Sequence, residues 1–307
     1  MLLVRFATPS SAGASVGVLD GDTVTTLDGV GSLGELWRLP LPEVRATVEG
    51  AAGAAFGVDD VTLLPPVDAA TEVWACGVTY KVSEEARVEE SERAASVYEL
   101  VYDAERPEIF FKSVAWRVVG HGEPIAVRAD SRIDVPEPEV AVVVTAHGEI
   151  AGYTVCNDVS SRTIEGENPL YLPQAKSYLG ACAVGPGIRP AWEVADPYAL
   201  PVSMSIKRSG AVDWTGTAST VQLRRRFDEL VSFLLRADVF PDGAVLTTGT
   251  CLVPAAPWTL RPGDVVRISV DGVGALANPV VEGLEAMSWL VDARDDVRLR
   301  AAGRPAP

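Results

Sequence analysis

Two glutamates separated by a single proline, Glu137 and Glu139 in the stretch VPEPEVAVVV, stand at the mouth of an otherwise apolar run. Alternate side chains of a strand share a face, so these carboxylates project together from backbones about 6.6 Å apart. Acids at that spacing can converge on one cation. The next residues, AHGE, offer a glycine for a tight turn, and IAGYTVCND reads as the returning antiparallel strand. A hairpin centred between His147 and Gly148 sets Glu137 opposite Asp158 and Glu139 opposite Cys156, so three acids occupy one patch. Like charges opposed across strands repel, and ionised carboxylates buried without partners cost several kcal/mol each. A hard divalent cation answers both problems, since Mg²⁺ is held by a few carboxylates plus water and substrate oxygens. A solvated sheet end, with the acids propped by Arg132 or Arg162, answers them too. A one-residue slip in register would carry Asp158 to the other face, so spacing alone leaves both readings open.

Other ionisable groups sit in equally apolar company. In RPEIFFKS, strand alternation puts Glu108, Phe110 and Lys112 on one face, either as a simple ion pair or as site residues. In NPLYLPQAKSYLG, Lys176 lies among Leu, Pro, Ala and Tyr, where its ammonium must find a partner or lose its proton. Beside a dication, burial and like charge both push a lysine towards the neutral amine, which is able to act as a general base.

The elements that must carry these groups are mostly strands. Leu2 to Ala7, Ala14 to Leu19 and Thr23 to Leu27 read as strands, followed by a helical piece in LGELWRLPLPEVRATVEGAAG. The Pro65-Pro66 pair reads as a linker, dividing a small N-terminal α+β domain (residues 1–66) from a larger one (residues 67–307). Beyond it the chain is strand-rich, interrupted by a helix in SEEARVEESERAASVYELVYDAE and another in RRRFDELVSFLLRADV, where Phe227, Leu230, Val231 and Leu234 form a core-facing stripe. At 307 residues and 48% apolar composition the chain can bury a sizeable core. Its formal charge of −16, from 26 basic and 42 acidic residues, speaks against nucleic-acid or other acidic partners. No run of about 18 apolar residues could span a bilayer, and the N-terminus alternates where a signal peptide would be basic and then apolar, so a cytoplasmic location with no membrane partner is expected. Cys76, Cys156, Cys182 and Cys251 are far apart with no CxxC, and with two histidines in the chain neither a disulfide framework nor a zinc site is indicated.

The segments GVTY, RPEIFFKS, DVPEPEVAVVV, GYTVCNDVSSR, QAKSYLGACAVGP and LTTGT, in that order across residues 77–250, resemble the fumarylacetoacetate hydrolase family. VYDAERPEIFFK and SSRTIEGENPLYLPQAK are similar to its 2-keto-3-deoxy-D-arabinonate dehydratase branch. The resemblance implies a strand-rich α+β fold, a mixed β-sandwich roll with a smaller N-terminal domain, and a dimer or tetramer. It places metal ligands at Glu137, Glu139 and Asp158, a lysine near the metal at Lys176, a carboxylate-binding threonine at Thr250, and the branch's glutamate at Glu108. Mg²⁺ is the implied cofactor, with Mn²⁺ or Ca²⁺ able to stand in. The implied reaction is dehydration of a 2-keto-3-deoxy sugar acid to 2,5-dioxopentanoate through a metal-stabilised enolate, with Lys176 as base and Glu108 as acid, a division the sequence leaves reversible. Lys112, Ser83, Glu84, Arg87 and Tyr171 are positioned as further substrate contacts. One departure matters. Carbon–carbon hydrolases of the family show G-x-N-Y-x-x-H-x-x-E, whereas here Thr79, Ser83 and Ala86 stand at the asparagine, histidine and glutamate positions, removing the pair that activates water. An acylpyruvate-type hydrolase, a decarboxylase of another 2-oxo acid, and a non-catalytic metal-binding protein remain the alternatives.

Overall fold

A computed structural model describes residues 1–11, 13–83 and 100–302. Its centre is an eleven-stranded mixed sheet. From one edge the order is Ala55–Gly57, Thr23–Thr26, Ser15–Asp20, Leu2–Ala7, Cys182–Pro190, Ile150–Asp158, Pro138–Val144, Ala244–Thr247, Glu72–Gly77 and Glu108–Val114, with Thr62–Leu64 also pairing Leu2–Ala7. Among the described residues of this sheet, only Ala244–Thr247 and Glu72–Gly77 run parallel. A five-stranded sheet (Ala211–Ser219, Pro201–Arg208, Val265–Val270, Gly274–Glu282, Ile125–Val127) packs on one face.

The unbroken apolar run of Pro138–Val144 now has its reason: every residue of this strand is buried. Val140, Val142 and Val144 meet Val202, Met204, Ile206, Val266 and Ile268 of the second sheet. Ala141 and Val143 join Leu33, Leu36, Trp37, Val44 and Val48, which come from the helices Leu33–Trp37 and Leu41–Glu49 on the opposite side. A strand covered on both faces has no use for alternation.

The hairpin register is the expected one from Pro138↔Asn157 and Glu139↔Cys156 through Val143↔Gly152. A β-bulge between Val143 and Val144 then shifts the pairing to Val144↔Ile150, and Gly148 closes the turn at φ 78°. The bulge lies on the turn side of the acids, so it leaves their register untouched. Two expectations for the N-terminal part are modified. The Pro65-Pro66 connection is buried, with Pro65 packed against Gly120, and is no solvated linker. The first strand pairs with the main sheet at Leu3↔Ile188, so the first 66 residues, which keep a small cluster of their own around Val4, Phe6 and Val24, also extend the central sheet. The helical piece after residue 30 is split by Pro40, which caps the second helix. In the helix Phe227–Leu234 the stripe Phe227, Leu230, Val231 and Leu234 is buried. The helix expected over 83–105 falls largely on residues 84–99, outside the described residues.

Next to the acidic strand, the short ladder of Asp134–Val135 with Ser160–Ser161 buries Asp134, whose Oδ1 has no hydrogen-bond partner. Burial pushes this carboxyl from 3.8 up to about 6, against the hydrogen bond from Ser131. The folded chain therefore holds a proton that the unfolded chain releases, and stability present at low pH is lost as pH rises through about 6. The loss amounts to about 3 kcal/mol at neutral pH. Asp134→Asn, which cannot ionise, is expected to raise the melting temperature near neutral pH and to change it little near pH 4. Equal shifts at both pH values would show that the charge of Asp134 is not the cause.

Candidate active site

Glu137, Glu139 and Asp158 are all buried, and each brings a carboxylate oxygen to within 4.8 Å of the others. The hairpin does the positioning. Glu137 O accepts from the Asp158 amide at 2.9 Å, and Asn157 Oδ1 accepts from the Glu137 amide at 3.1 Å, so the two strands fix each other's acids at the point where the ladder ends. Glu139 Oε2 accepts from the Gly249 amide at 2.7 Å and from the Thr247 hydroxyl.

Among the described residues, three cations surround this patch. Lys176, buried at the end of the short helix Leu172–Lys176, donates to Glu137 Oε2 at 2.8 Å, to Asp158 Oδ2 at 3.1 Å and to Ser160 Oγ. Arg162 pairs with Glu137 Oε1 at 2.7 Å. Lys112 Nζ lies against Asp158 Oδ1 as an ion pair and donates to the carbonyls of Val159, at 3.1 Å, and Lys176. Among the described residues three acids thus face three bases, with Arg162 in the propping role that the sequence offered as an alternative to a metal. Burial of the acids does not by itself demand a dication. The case for one rests on convergence.

That case is supported by the electrostatics of Glu139. Burial first, then the neighbouring charges of Asp158 and Glu137, push its carboxyl well above the usual range, against the pull of Lys176 and the Gly249 amide. A group held in the wrong protonation state by its neighbours gains most from a hard cation shared with them, and an all-oxygen donor set suits Mg²⁺.

The other expected residues fall into two groups. On the strand Glu108–Val114, Phe110 lies beneath Lys176, with the ammonium 5.7 Å from the ring centroid, and Glu108 is half-buried opposite Gly77. Glu72–Val114 and Val73–Ser113 pair in one register and Trp74–Phe111 onward in the next, which leaves Lys112 as the extra residue of a β-bulge. Bulges re-aim side chains, and this one keeps Lys112 turned towards Asp158. Thr250 is buried beside the acids, its hydroxyl on the Pro138 carbonyl at 3.1 Å. Ser83 spends its hydroxyl proton on Tyr80 O at 2.7 Å, and Thr79 does the same on Thr248 O at 2.6 Å. Tyr171 is exposed on the turn Pro169–Tyr171. Glu84, Ala86 and Arg87 lie outside the described residues.

Residues 73–281 match the family model described as fumarylacetoacetate (FAA) hydrolase C-terminal. The chain belongs to this family. It is 45% identical over 229 residues to 2-dehydro-3-deoxy-D-arabinonate dehydratase of Saccharolobus solfataricus, covering 74% of this chain and 76% of the relative. Over 215 residues, 70% of this chain and 73% of the relative, it is 52% identical to the "Probable 2-keto-3-deoxyxylonate dehydratase" of Haloferax volcanii. Among solved structures, a 2-keto-3-deoxy-D-arabinonate dehydratase complexed with magnesium and 2,5-dioxopentanoate superposes with a TM-score of 0.79 at 38% identity, covering 92% of this chain and 99% of that one. The family's strand-rich architecture is the one described above.

Sequence reasoning missed Ser160, Thr247 and the Gly249 amide, which complete the polar surroundings of Lys176 and Glu139. Ser160 was within reach, being two residues beyond Asp158. Gly249, 110 residues from Glu139, carries no local signal. Lys112 was placed among the substrate contacts, yet its charge faces Asp158 and two of its N–H groups are taken by carbonyls. Lys112→Met is therefore expected to lower stability by about 3–5 kcal/mol in urea unfolding, the scale for stripping one partner from a buried pair. An unchanged unfolding midpoint would return Lys112 to a purely substrate-binding role.

Proposed function

We propose that this chain is a Mg²⁺-dependent dehydratase that removes one water from a 2-keto-3-deoxy pentonate, 2-keto-3-deoxy-D-arabinonate or its close stereoisomer, to give 2,5-dioxopentanoate. The observation that carries this reading is Lys176, buried and hydrogen-bonded to two of three convergent carboxylates, in a chain 45% and 52% identical to two such dehydratases. Glu137, Glu139 and Asp158 would hold the ion. When bound, Mg²⁺ supplies Lewis acidity to the carboxylate and 2-keto oxygens of a 2-oxo acid, making the C3 proton removable.

The chain's own groups do the rest. Lys176 takes the C3 proton, and Glu108 delivers a proton to the departing C4 hydroxyl. Loss of that hydroxyl as water leaves a C3=C4 double bond conjugated to the 2-keto group, with the C5 alcohol intact. Removal of a C5 proton followed by protonation at C3 and then at C4 turns this allylic alcohol, through its dienol, into the aldehyde at C5. Thr250 holds the substrate carboxylate, and Ser83 and Tyr171 border the sugar hydroxyls. Hydrolysis is disfavoured because the hydroxyls of Thr79 and Ser83, at two of the three family positions that handle water, donate into the backbone and carry no basic group. The enzyme is further proposed to be a cytoplasmic homo-oligomer; among the described residues no helix is long and apolar enough to cross a membrane.

The test is a panel of 2-keto-3-deoxy sugar acids and acylpyruvates with Mg²⁺. Aldehyde formation from a 2-keto-3-deoxy pentonate, with acylpyruvates left intact, is expected. Efficient acylpyruvate cleavage would transfer the chain to the hydrolases, and no reaction with any oxo acid would favour a structural metal site.

A further inference from the structure

We infer that Gly77 is a positioning residue for the Glu108 carboxylate. The inference rests on the proposed role of Glu108. Gly77 ends the strand Glu72–Gly77 and pairs directly with Glu108 across the ladder. A β-carbon on Gly77 would stand 2.7 Å from Glu108 Cδ and closer still to Oε2. The Glu108 carboxyl therefore lies folded over the bare Cα of its partner, in space that any other residue would fill. What such a side chain would strike is the far end of a flexible glutamate, not backbone, so the fold can absorb the change and only the carboxyl must move.

Two further observations place this spot at the edge of the site. The Cys76 thiol, one residue earlier, is held well above its usual range by burial and then by the charges of both Glu139 and Glu108, so the two acids flank the same residue. One residue later, buried Val78 sits at φ 53°, a left-handed conformation that a β-branched residue adopts only at a cost. That turn sends Thr79 towards Thr248, next to the Gly249 amide that binds Glu139. The backbone from Gly77 to Thr79 is thus bent to run between the metal-binding acids and Glu108.

The test is a double-mutant cycle in the Mg²⁺-loaded enzyme, read by dehydration of 2-keto-3-deoxy-D-arabinonate and by deuterium exchange into the methyl group of pyruvate. Gly77→Ala is expected to slow dehydration by about 10²-fold, with exchange kept within about threefold because the proton-abstracting half does not need Glu108. Gly77→Ala combined with Glu108→Gln should be no slower than Glu108→Gln alone, since both changes remove the same group from the same place. Full dehydration by Gly77→Ala, or losses that multiply in the double variant, would overturn the inference. A Glu108→Gln enzyme that dehydrates normally would overturn the role of Glu108 itself, a separate result because that variant leaves Gly77 intact. Should Gly77→Ala fail to fold, Glu108→Asp serves instead. Its shortened carboxyl cannot reach over Gly77 and should lose dehydration as Glu108→Gln does, so an active Glu108→Asp enzyme would overturn the positioning claim.

Discussion

Lys176→Met is expected to abolish both dehydration and deuterium exchange into the methyl group of pyruvate, while Glu108→Gln loses dehydration and keeps exchange. Exchange needs a base at C3 and nothing to eliminate, so it reports the first half of the reaction alone. The lysine amine stands 2.8 and 3.1 Å from oxygens of two proposed metal ligands, which puts it beside any oxo acid chelated there. Removing a positioned proton carrier costs about 10²- to 10⁴-fold. Loss of Lys176 should fall at the severe end, because methionine also removes the hydrogen bonds to Glu137 and Asp158. Exchange lost in the glutamate variant and kept in the lysine variant would interchange the two roles. Normal rates in both would place the chemistry elsewhere.

Metal removal should have an effect of similar size. EDTA is expected to stop turnover and Mg²⁺ or Mn²⁺ to restore it, with Glu139→Gln not rescued at ordinary metal concentrations. Because the Glu139 carboxyl is pushed well above its usual range by burial and by Asp158 and Glu137, metal must compete with a proton there. Mg²⁺ binding should accordingly tighten as pH rises and should release a proton, which calorimetry in buffers of different ionisation enthalpy would detect. Metal should also raise the melting temperature by RT ln(1 + [L]/Kd) in free energy, since the unfolded chain has no such site. Full activity in chelator would remove the basis for the mechanism.

The acidic centre was legible because its information is local. One glycine in a turn and a strand period of two are enough to bring Glu137, Glu139 and Asp158 together, and the bulge that breaks the register lies beyond them. The bulge at Lys112 was not legible, although the side chain reached the expected face, because it arises from how neighbouring strands meet. The cations that balance the acids are 18 to 46 residues from their partners, and nothing in a single sequence pairs such residues. The N-terminal strands look self-contained in the sequence, yet the edge they present is completed by Cys182–Pro190, far along the chain. Pro65-Pro66 has the composition of a linker, but two prolines also fill space well, and here they are buried. Gly77 reads as an ordinary strand-end glycine until the carboxyl lying over it is seen.

The most direct test of the account is the reaction of 2-keto-3-deoxy-D-arabinonate with the Mg²⁺-loaded enzyme in D₂O, followed by proton NMR. Dehydration through an enol predicts a single five-carbon product, 2,5-dioxopentanoate, with its C5 aldehyde and with deuterium introduced at C3 and C4 as the enols are quenched by solvent. Appearance of pyruvate and a two-carbon fragment, or a five-carbon product free of deuterium, would contradict it.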